Sequence, residues 1–248
     1  MYCYIYDELT QDKRFEKELA LIENRLTDLG IAGKIVRLAL FRNVQEMVLD
    51  EIRRGTTSVI AVGDDETVHK VVDVVSGTDV TLGIIPLGER NALASLLGIP
   101  SGVAACDTLS ARIVETIDAG VVNGKRFLTS LCVPNFSAEL TCEGSYRVTP
   151  EEAGYLEIRN LAGAETGSDR VSDPTDGRLE TVIRVLVKRG WLGRKRMCES
   201  VLPLTSLSIR SEKPIAVIAD GQEMTGTRFD VGIESGVIKV ISGRERKF

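Results

Sequence analysis

The sequence has little of what metal-bound or disulfide-bonded small domains need. Of its 248 residues, one is histidine and five are cysteine, and no two cysteines form a C-x-x-C pair. Zinc sites and disulfide frameworks are built on such paired spacings, so neither is expected here. The cysteines are expected to be reduced thiols in the core or at the surface.

An excess of basic residues is also missing. Lys and Arg number 31 against 36 Asp and Glu, which gives a formal net charge of −5 and an isoelectric point near 5.2. This balance argues against a protein that binds nucleic acid through its overall charge. No apolar run approaches the roughly 20 residues of a membrane-spanning helix, and the start of the chain lacks the pattern of a secretory signal. A cytoplasmic protein is therefore expected.

The first half of the chain alternates short apolar strands with amphipathic helices. Strands are predicted at residues 2–6, 34–40, 57–62 and 80–85 because these runs are apolar and rich in β-branched residues. Apolar residues at steps of three and four, as at Leu19, Ile22 and Leu26, predict the helices between them. Such alternation is typical of a parallel sheet covered by helices on both faces.

The second half is different. Asn123-Gly124 between two β-like runs predicts a hairpin, because Asn and Gly accept the positive φ angles of a type I′ turn. Further β-like runs follow as far as residue 241, most of them separated by turn residues, which favours a β-sandwich. The sequence therefore predicts a three-layer α/β domain over residues 1–117 and an all-β sandwich domain over residues 118–248.

Two strand ends in the first half carry polar turns that contain glycine. Residues 62–67 read VGDDET and residues 85–91 read IPLGERN, and each turn leads into a predicted helix. Ligands of open α/β sheets bind beyond the carboxyl ends of the strands, where a helix N-terminus can present N–H groups to an anion. Two alternatives are ordinary βα turns whose acids favour the helix dipole, and a cation site formed by the acidic residues.

Several segments resemble motifs of one protein family, the diacylglycerol kinase catalytic domain family. Residues 59–72, VIAVGDDETVHKVV, resemble its V-G-G-D-G-T-x-N-E-V-V segment. Residues 82–100, LGIIPLGERNALASLLGIP, resemble its L-G-I-I-P-L-G-T-G-N-D-F-A-R-x-L-G-I-P segment. Residues 117–128, 173–177 and 219–222 resemble its entry into a second domain, its P-x-D-G-L turn and its D-G-E segment.

The resemblance implies an α/β nucleotide-binding domain followed by a β-sandwich, and a lipid kinase that uses ATP and Mg²⁺. The positions that match its nucleotide loops, and so imply cofactor binding, are Gly63, Asp65, Thr67, Gly88 and Asn91. Asp220 matches the Asp of D-G-E and is the catalytic candidate. Asp176 matches an aspartate that holds a structural Mg²⁺ in the family, and the alternative for Asp176-Gly177 is an ordinary Asp-Gly turn.

Other positions depart from these motifs in charge. Asp64 and Glu66 replace two glycines of the first loop, Glu89 replaces a threonine of the second, and Arg90 replaces a glycine there. A carboxylate about 5 Å from a phosphate charge is repelled by about 3 kcal/mol at an effective dielectric of about 20. The three acids therefore make ATP binding in the family's manner difficult.

Gln222 stands where the D-G-E segment has the glutamate that the resemblance implies as general base. An amide cannot accept the proton of a substrate hydroxyl. These departures favour a non-catalytic or catalytically impaired relative of the lipid kinases. The alternative is an active ATP-dependent lipid kinase in which Asp220 is the remaining carboxylate.

One segment of the acidic chain is strongly basic and surrounds its only tryptophan. It suits the surface of an anionic membrane, where Trp and cations are favoured, although a solvated loop with Trp packed inward is the alternative. The sequence leaves open whether the chain forms a homodimer. The residues of this segment are Lys188, Arg189, Trp191, Arg194, Lys195 and Arg196.

Overall fold

The computed structural model describes residues 1–37, 44–162, 172–188 and 195–248, and the chain forms two compact units. The first unit comprises Met1–Ile117 with Val237–Lys247, and the second Asp118–Gly236 with Phe248. The domain boundary predicted at residues 117 and 118 stays a prediction. What the structure adds is that Val237–Lys247 packs with the first unit.

The first unit is built on a parallel sheet, as the alternating pattern predicts. Its strands follow the order β2-β1-β3-β4-β14, and all four neighbouring pairs are parallel. Every residue of β3 and β4 is buried, which is typical of strands covered by helices on both faces. The strands are β1 Tyr2–Tyr6, β2 Lys34–Arg37, β3 Ser58–Gly63, β4 Thr81–Pro86 and the end of β14 Gln222–Ile241.

The helices of the first unit bury one apolar face each. In α1 (Glu16–Asp28), the residues Leu19, Ile22 and Leu26 are buried while their neighbours are exposed or half-buried, as the three-and-four spacing predicts. Short 3₁₀ turns at Glu8–Gln11, Lys13–Phe15 and Gly102–Ala104 complete the connections. The helices are α1 Glu16–Asp28, α2 Val44–Arg53, α3 Asp65–Val75, α4 Ala92–Leu96 and α5 Ala105–Ala111.

The second unit is antiparallel. Its main strand order is β12-β11-β10-β7-β13-β14; β8 pairs with β13 and β9 with β8, while β5 pairs with β14 and β6 with β5. The strands are β5 Val114–Val122, β6 Lys125–Phe127, β7 Ser130–Phe136, β8 Glu139–Cys142, β9 Tyr146–Val148, β10 Gly154–Arg159, β11 Leu179–Lys188, β12 Lys195–Leu204, β13 Ser206–Ala219 and β14. The predicted fold class, an α/β region with parallel strands followed by an antiparallel β region, is confirmed.

Two-residue turns connect several of these strands. Asn123 and Gly124 have φ angles of 47° and 82°, and Asp220 and Gly221 have φ angles of 45° and 80°. Both pairs therefore adopt the positive φ angles that type I′ hairpin turns require. Alternate side chains then point into a core that includes Phe127, Phe136 and Phe229.

Some element bounds differ from those predicted. The predicted strand 34–40 is seen as Lys34–Arg37, and residues 38–40 lie outside the described part of the chain. The runs 207–210 and 215–219 form the single strand β13, whose pairing with β14 shifts register between Arg210 and Ile215. Such a shift interrupts the alternating sequence pattern, so the pattern predicts two strands although the strand is continuous. None of the described helices is long and apolar enough to cross a membrane.

Candidate functional site

The carboxyl ends of three neighbouring strands bring three polar turns together in the first unit. Strands β1, β3 and β4 are parallel neighbours, with Tyr6 beside Val62 and Gly63 beside Pro86. Asp7 follows β1, Asp64 follows β3 and caps α3, and the turn 87–91 follows β4. This edge is where an open α/β sheet binds ligands, so it is the candidate site.

Asp64 caps the N-terminus of α3 with its own side chain. Its Oδ1 accepts hydrogen bonds from the backbone N–H groups of Glu66 at 3.1 Å and Thr67 at 3.3 Å. The first N–H groups of a helix have no partner within the helix and are the donors that bind anions there. At α3 two of these donors are occupied by a carboxylate of the chain itself.

Arg90 completes the surroundings of this carboxylate. Its guanidinium lies 2.8 Å from Oδ2 of Asp64 and 3.7 Å from Glu66, so it links the second loop to the first. The Asp64 side chain is 13% exposed, whereas that of Arg90 is 72% exposed. The acid is held in place, and the cation reaches it from the solvent side.

Asp65 makes an equivalent contact with α4. Its two carboxylate oxygens accept hydrogen bonds from the N–H groups of Ala92 at 2.8 Å and Leu93 at 3.2 Å, and its own N–H donates to the Arg90 carbonyl at 2.8 Å. Asp65 therefore ties the loop after β3 to the helix after β4. Both helix N-termini at this edge are occupied by carboxylates from one dipeptide.

The other predicted loop residues shape the backbone. A Cβ on Gly63 would lie 2.3 Å from Oγ1 of Thr67, so only glycine fits there. Gly88 has a φ of +80°, which favours glycine, and its carbonyl accepts a hydrogen bond of 2.9 Å from the Asn91 amide. The helix that the sequence predicts after this turn begins at Ala92. The nucleotide-binding roles of Gly63, Asp65, Thr67, Gly88 and Asn91 stay predictions.

Asp7 is a member of this cluster that sequence reasoning missed. It is 7% exposed, and its Oδ2 accepts hydrogen bonds from the Thr67 hydroxyl at 3.0 Å and the Lys70 ammonium at 2.9 Å. Its Oδ1 accepts from the Glu8 N–H at 2.8 Å. The available signal was its position, since an aspartate directly after the first strand must lie at the carboxyl edge of the sheet.

Neighbouring cations compensate part of the negative charge of the acidic loops. Glu66 lies 3.3 Å from Lys70 and 3.7 Å from Arg90, and Asp64 is paired with Arg90. Repulsion of a phosphate is therefore weaker than the bare count of carboxylates suggests. Among the described residues, no group of three or more His, Cys, Asp or Glu side chains is arranged to hold a metal ion, so the acidic loops offer no such cation site.

The Asp7–Lys70 pair makes stability depend on pH. Burial raises the pKa of the Asp7 carboxyl, but the hydrogen bonds from Lys70, the Glu8 N–H and Thr67 outweigh it and hold the pKa below its ordinary 3.8. A carboxyl whose pKa is lower in the folded state stabilises the fold above pH 3.8, and this contribution is lost as the pH falls through the folded pKa. The Asp7→Asn variant should therefore show a shallower decline in the free energy of unfolding below about pH 4.

Urea denaturation between pH 2 and 7 measures this difference. Asp28→Asn, which removes one exposed carboxylate from α1, is the matched control and should keep the wild-type profile. Parallel pH profiles for Asp7→Asn and the wild type would contradict the role given to Asp7.

In the second unit, Asp220 is held by several donors. Its Oδ1 accepts hydrogen bonds from the N–H groups of Thr129 at 2.9 Å and Ser130 at 3.0 Å and from the Thr129 hydroxyl. Its Oδ2 accepts from the Leu128 N–H at 2.6 Å. The carboxylate thus fastens the β13–β14 turn to the start of β7. Gln222, two residues later, is exposed at the start of β14.

Asp176 does not have the surroundings of a magnesium ligand. It is exposed, and its Oδ1 accepts the Arg178 N–H at 2.8 Å, as in a local Asx turn. The aspartate that organises this turn is Asp118, 2% exposed, which accepts the N–H groups of Gly177 at 2.8 Å and Gly236 at 2.7 Å. Among the described residues no group of three or more His, Cys, Asp or Glu side chains is arranged to hold a metal ion, and the exposed Asp176 carboxylate is bonded within its own turn, so Asp176 does not fit the Mg²⁺ that the resemblance implies.

The basic segment is described only at its margins. Arg189, Trp191 and Arg194 lie outside the described residues, as do the side chains of Lys188 and Lys195. Arg196 lies in β12 and is exposed.

Comparison with known proteins identifies a matching family model and several relatives. Residues 2–122 match the sequence model of the diacylglycerol kinase catalytic domain. A diacylglycerol kinase of Bacillus subtilis is 30% identical over 128 residues, which cover 50% of this chain and 42% of that protein. An uncharacterized protein of Synechocystis sp. is 30% identical over 148 residues, which cover 55% of this chain and 34% of that protein.

The structural comparison covers more of the chain. A crystal structure of a diacylglycerol kinase from Bacillus anthracis superimposes with a TM-score of 0.78 at 17% identity, covering 99% of this chain and 97% of that one. At this identity the likeness concerns the fold. The chain spans between about a third and two fifths of the length of the two curated relatives that it matches.

Proposed function

We propose that this chain, whose residues 2–122 match the sequence model of the diacylglycerol kinase catalytic domain, is a member of that family without lipid kinase activity. The observation that carries the proposal is the hydrogen bonding of Asp64. Its carboxylate takes the N–H groups of Glu66 and Thr67, which are the donors that a phosphate would need at the N-terminus of α3.

The proposal depends on an aspartate at position 64. The family motif has glycine where this chain has Asp64, so its loop has no side chain to fill the anion position. Asp65, which the motif shares, binds α4 instead. The extra carboxylate in this chain therefore competes directly with a phosphate for the α3 donors.

Arg90 strengthens this arrangement. It also stands at a motif glycine, and its guanidinium pairs with Asp64 across 2.8 Å. An ion pair with so exposed a cation contributes about 1 kcal/mol or less, so its main effect is to keep Asp64 compensated in charge. A phosphate is therefore excluded mainly because the N–H donors at the N-terminus of α3 are already occupied. Uncompensated negative charge contributes less.

The second unit supports the same proposal. The position of the implied general base holds Gln222, whose amide cannot accept a proton from an alcohol. Asp220, the remaining carboxylate of the motif, already accepts from three N–H groups and one hydroxyl. No catalytic step is assigned to Mg²⁺, because Asp176 does not fit it. A protein of this kind would use the family's fold for binding.

The alternative is an active ATP-dependent lipid kinase with Asp220 as its catalytic carboxylate. One observation favours it: the fold corresponds to that of a diacylglycerol kinase over 99% of the chain. Under this alternative Asp64 and Arg90 would have to separate when ATP binds, and the Asp220 carboxylate would have to release some of its donors.

Thermal unfolding with MgATP, and with Mg²⁺ alone as reference, tests the proposal. A ligand at a hundred times its dissociation constant adds about 2.7 kcal/mol, which raises the melting temperature of a chain of this size by about 5–10 °C. We expect no such shift for the wild type at millimolar MgATP. A shift in the wild type, together with ATP-dependent phosphorylation of diacylglycerol, would establish the alternative.

Two variants identify the cause of weak binding. Asp64→Gly combined with Arg90→Gly restores two of the three replaced motif glycines and should gain a MgATP-dependent shift. Glu89→Thr is the matched control, since it removes an exposed carboxylate of the same edge without freeing a helix N–H, and it should gain none. A gain in the Glu89→Thr variant alone would mean that repulsion, and not occupied donors, prevents binding.

A further inference from the structure

The end of the β11–β12 hairpin leaves large apolar side chains exposed. Leu186 is 42% exposed, Val187 44% and Met197 63%. Leu186 pairs with Met197 across the two strands, so these two side chains lie together on one face, whereas the next pair, Val187 and Arg196, lies on the opposite face. The other large apolar side chains described as exposed are scattered at Met1, Leu21, Val114 and Tyr146. Contiguous exposed apolar residues of this kind mark interaction surfaces.

The apolar side chains lie beyond the part of the hairpin that the core uses. Ile183 is 6% exposed and belongs to the core of the second unit, and Val185 packs against that core. Leu186, Val187 and Met197 come next towards the end of the strands and are exposed. They do not contribute to this core, so the fold itself does not account for them.

The charge of the same segment is entirely positive. The sequence from residue 186 to 197, LVKRGWLGRKRM, contains five Lys and Arg and no Asp or Glu, within a chain of net charge −5. Arg196, between Met197 and the residues outside the described part, is exposed. Apolar side chains flanked by cations match the interface of a membrane that contains anionic lipids.

We propose that the hairpin end formed by Leu186, Val187, Arg196 and Met197 docks on the surface of an anionic lipid bilayer. A second copy of the chain is a less suitable occupant, because residues 186–197 contain five Lys and Arg and no Asp or Glu, so the same segment of a second copy offers no opposite charge. The proposal goes beyond the proposed function and does not depend on it, since docking involves neither the nucleotide loops nor Asp220.

Co-sedimentation of the full chain with vesicles tests the proposal. Vesicles of phosphatidylcholine with phosphatidylserine should bind the protein, vesicles of phosphatidylcholine alone should bind it far less, and added salt should weaken the binding. Each cation near an anionic surface strengthens partitioning about fivefold, so Arg196→Glu, a change of two charges, should weaken it about 25-fold.

The apolar contribution is tested with matched double variants. Leu186→Ser with Met197→Ser should lower vesicle binding at least tenfold, since two apolar side chains no longer enter the interface. The control variant Leu21→Ser with Tyr146→Ser removes two apolar side chains elsewhere that are at least as exposed as Leu186 and Met197. It should bind vesicles like the wild type. Thermal unfolding of each variant verifies that it is folded.

Three results would overturn the proposal. The first is equal binding of the wild type to both vesicle types, and the second is undiminished binding of the Leu186→Ser/Met197→Ser variant. The third is a concentration-dependent dimer that this variant abolishes while the wild type ignores vesicles, which would assign the surface to a second copy. No nucleotide is present in the assay, so its outcome is independent of the MgATP experiment.

Discussion

Replacing Asp220 by alanine is expected to lower the free energy of unfolding by about 4 kcal/mol. The carboxylate accepts hydrogen bonds from three backbone N–H groups and one hydroxyl at the start of β7, and bonds to a charged acceptor are worth about 1.5–3 kcal/mol each. Water can replace some of them, because the site is partly buried. Alanine at a φ of 45° adds a cost of about 1 kcal/mol.

Urea denaturation of the variants measures this effect. Asp220→Asn keeps one acceptor oxygen and tolerates the positive φ, so it should lose only about 1–2 kcal/mol. Glu223→Ala, at a neighbouring exposed position, should stay within about 0.5 kcal/mol of the wild type. If Asp220→Ala were as stable as the wild type, the carboxylate would be free for chemistry and the structural role would be wrong.

The result bears on how activity data are interpreted. A loss of activity on mutating Asp220 would ordinarily be taken as evidence for a catalytic carboxylate. In this chain the same substitution removes the connection between the β13–β14 turn and β7, so inactivity and unfolding have to be separated. The graded series alanine, asparagine and wild type makes that separation.

The second large effect concerns the buried ion pair of β10. Arg159 is 1% exposed, and its guanidinium lies 2.7 Å from the carboxylate of Glu157, which is 4% exposed. Removing one partner of such a pair leaves an uncompensated buried charge, which costs about 3–5 kcal/mol. Glu157→Ala is therefore expected to destabilise the second unit by that amount in urea denaturation.

Two further variants separate the pair from its surroundings. Glu157→Leu with Arg159→Met replaces both charges by apolar groups and should be much closer to the wild type than Glu157→Ala. Glu199 of β12 pairs at 2.7 Å with Arg184, which also lies 3.4 Å from Glu157 and therefore keeps a carboxylate partner, so Glu199→Ala should cost about 1 kcal/mol or less. Equal losses for Glu157→Ala and the double variant would contradict this account.

Local pattern was enough to predict the architecture. The spacing of Leu19, Ile22 and Leu26 depends only on the 3.6-residue period of a helix, and Asn123-Gly124 depends only on the φ angles of a two-residue turn. Parallel strands followed by antiparallel strands could therefore be predicted from residues close together in the chain. Position at the ends of β3 and β4 was likewise sufficient to select the loops at 63–67 and 87–91 as the candidate site.

Other features could not be predicted because their partners are far apart in sequence. Asp64 meets Arg90 across 26 positions, Asp7 meets Thr67 across 60, and Asp220 meets Thr129 across 91. The sequence shows which of these residues carry charge, but not which donors each carboxylate accepts. The count of carboxylates in the loops predicted repulsion, whereas Arg90 and Lys70 compensate part of that charge.

The sequence by itself therefore determined the order of strands and helices, the resemblance to one protein family and the loops that are candidates for binding a ligand. These follow from periodicity, turn residues and motif spacing, which act over a few residues. Only the tertiary structure decided what Asp64, Asp65 and Asp220 do, because a hydrogen bond depends on distances and directions that arise after the strands align. Each of these carboxylates has its oxygens directed at N–H groups of the chain, so these N–H groups already have a partner.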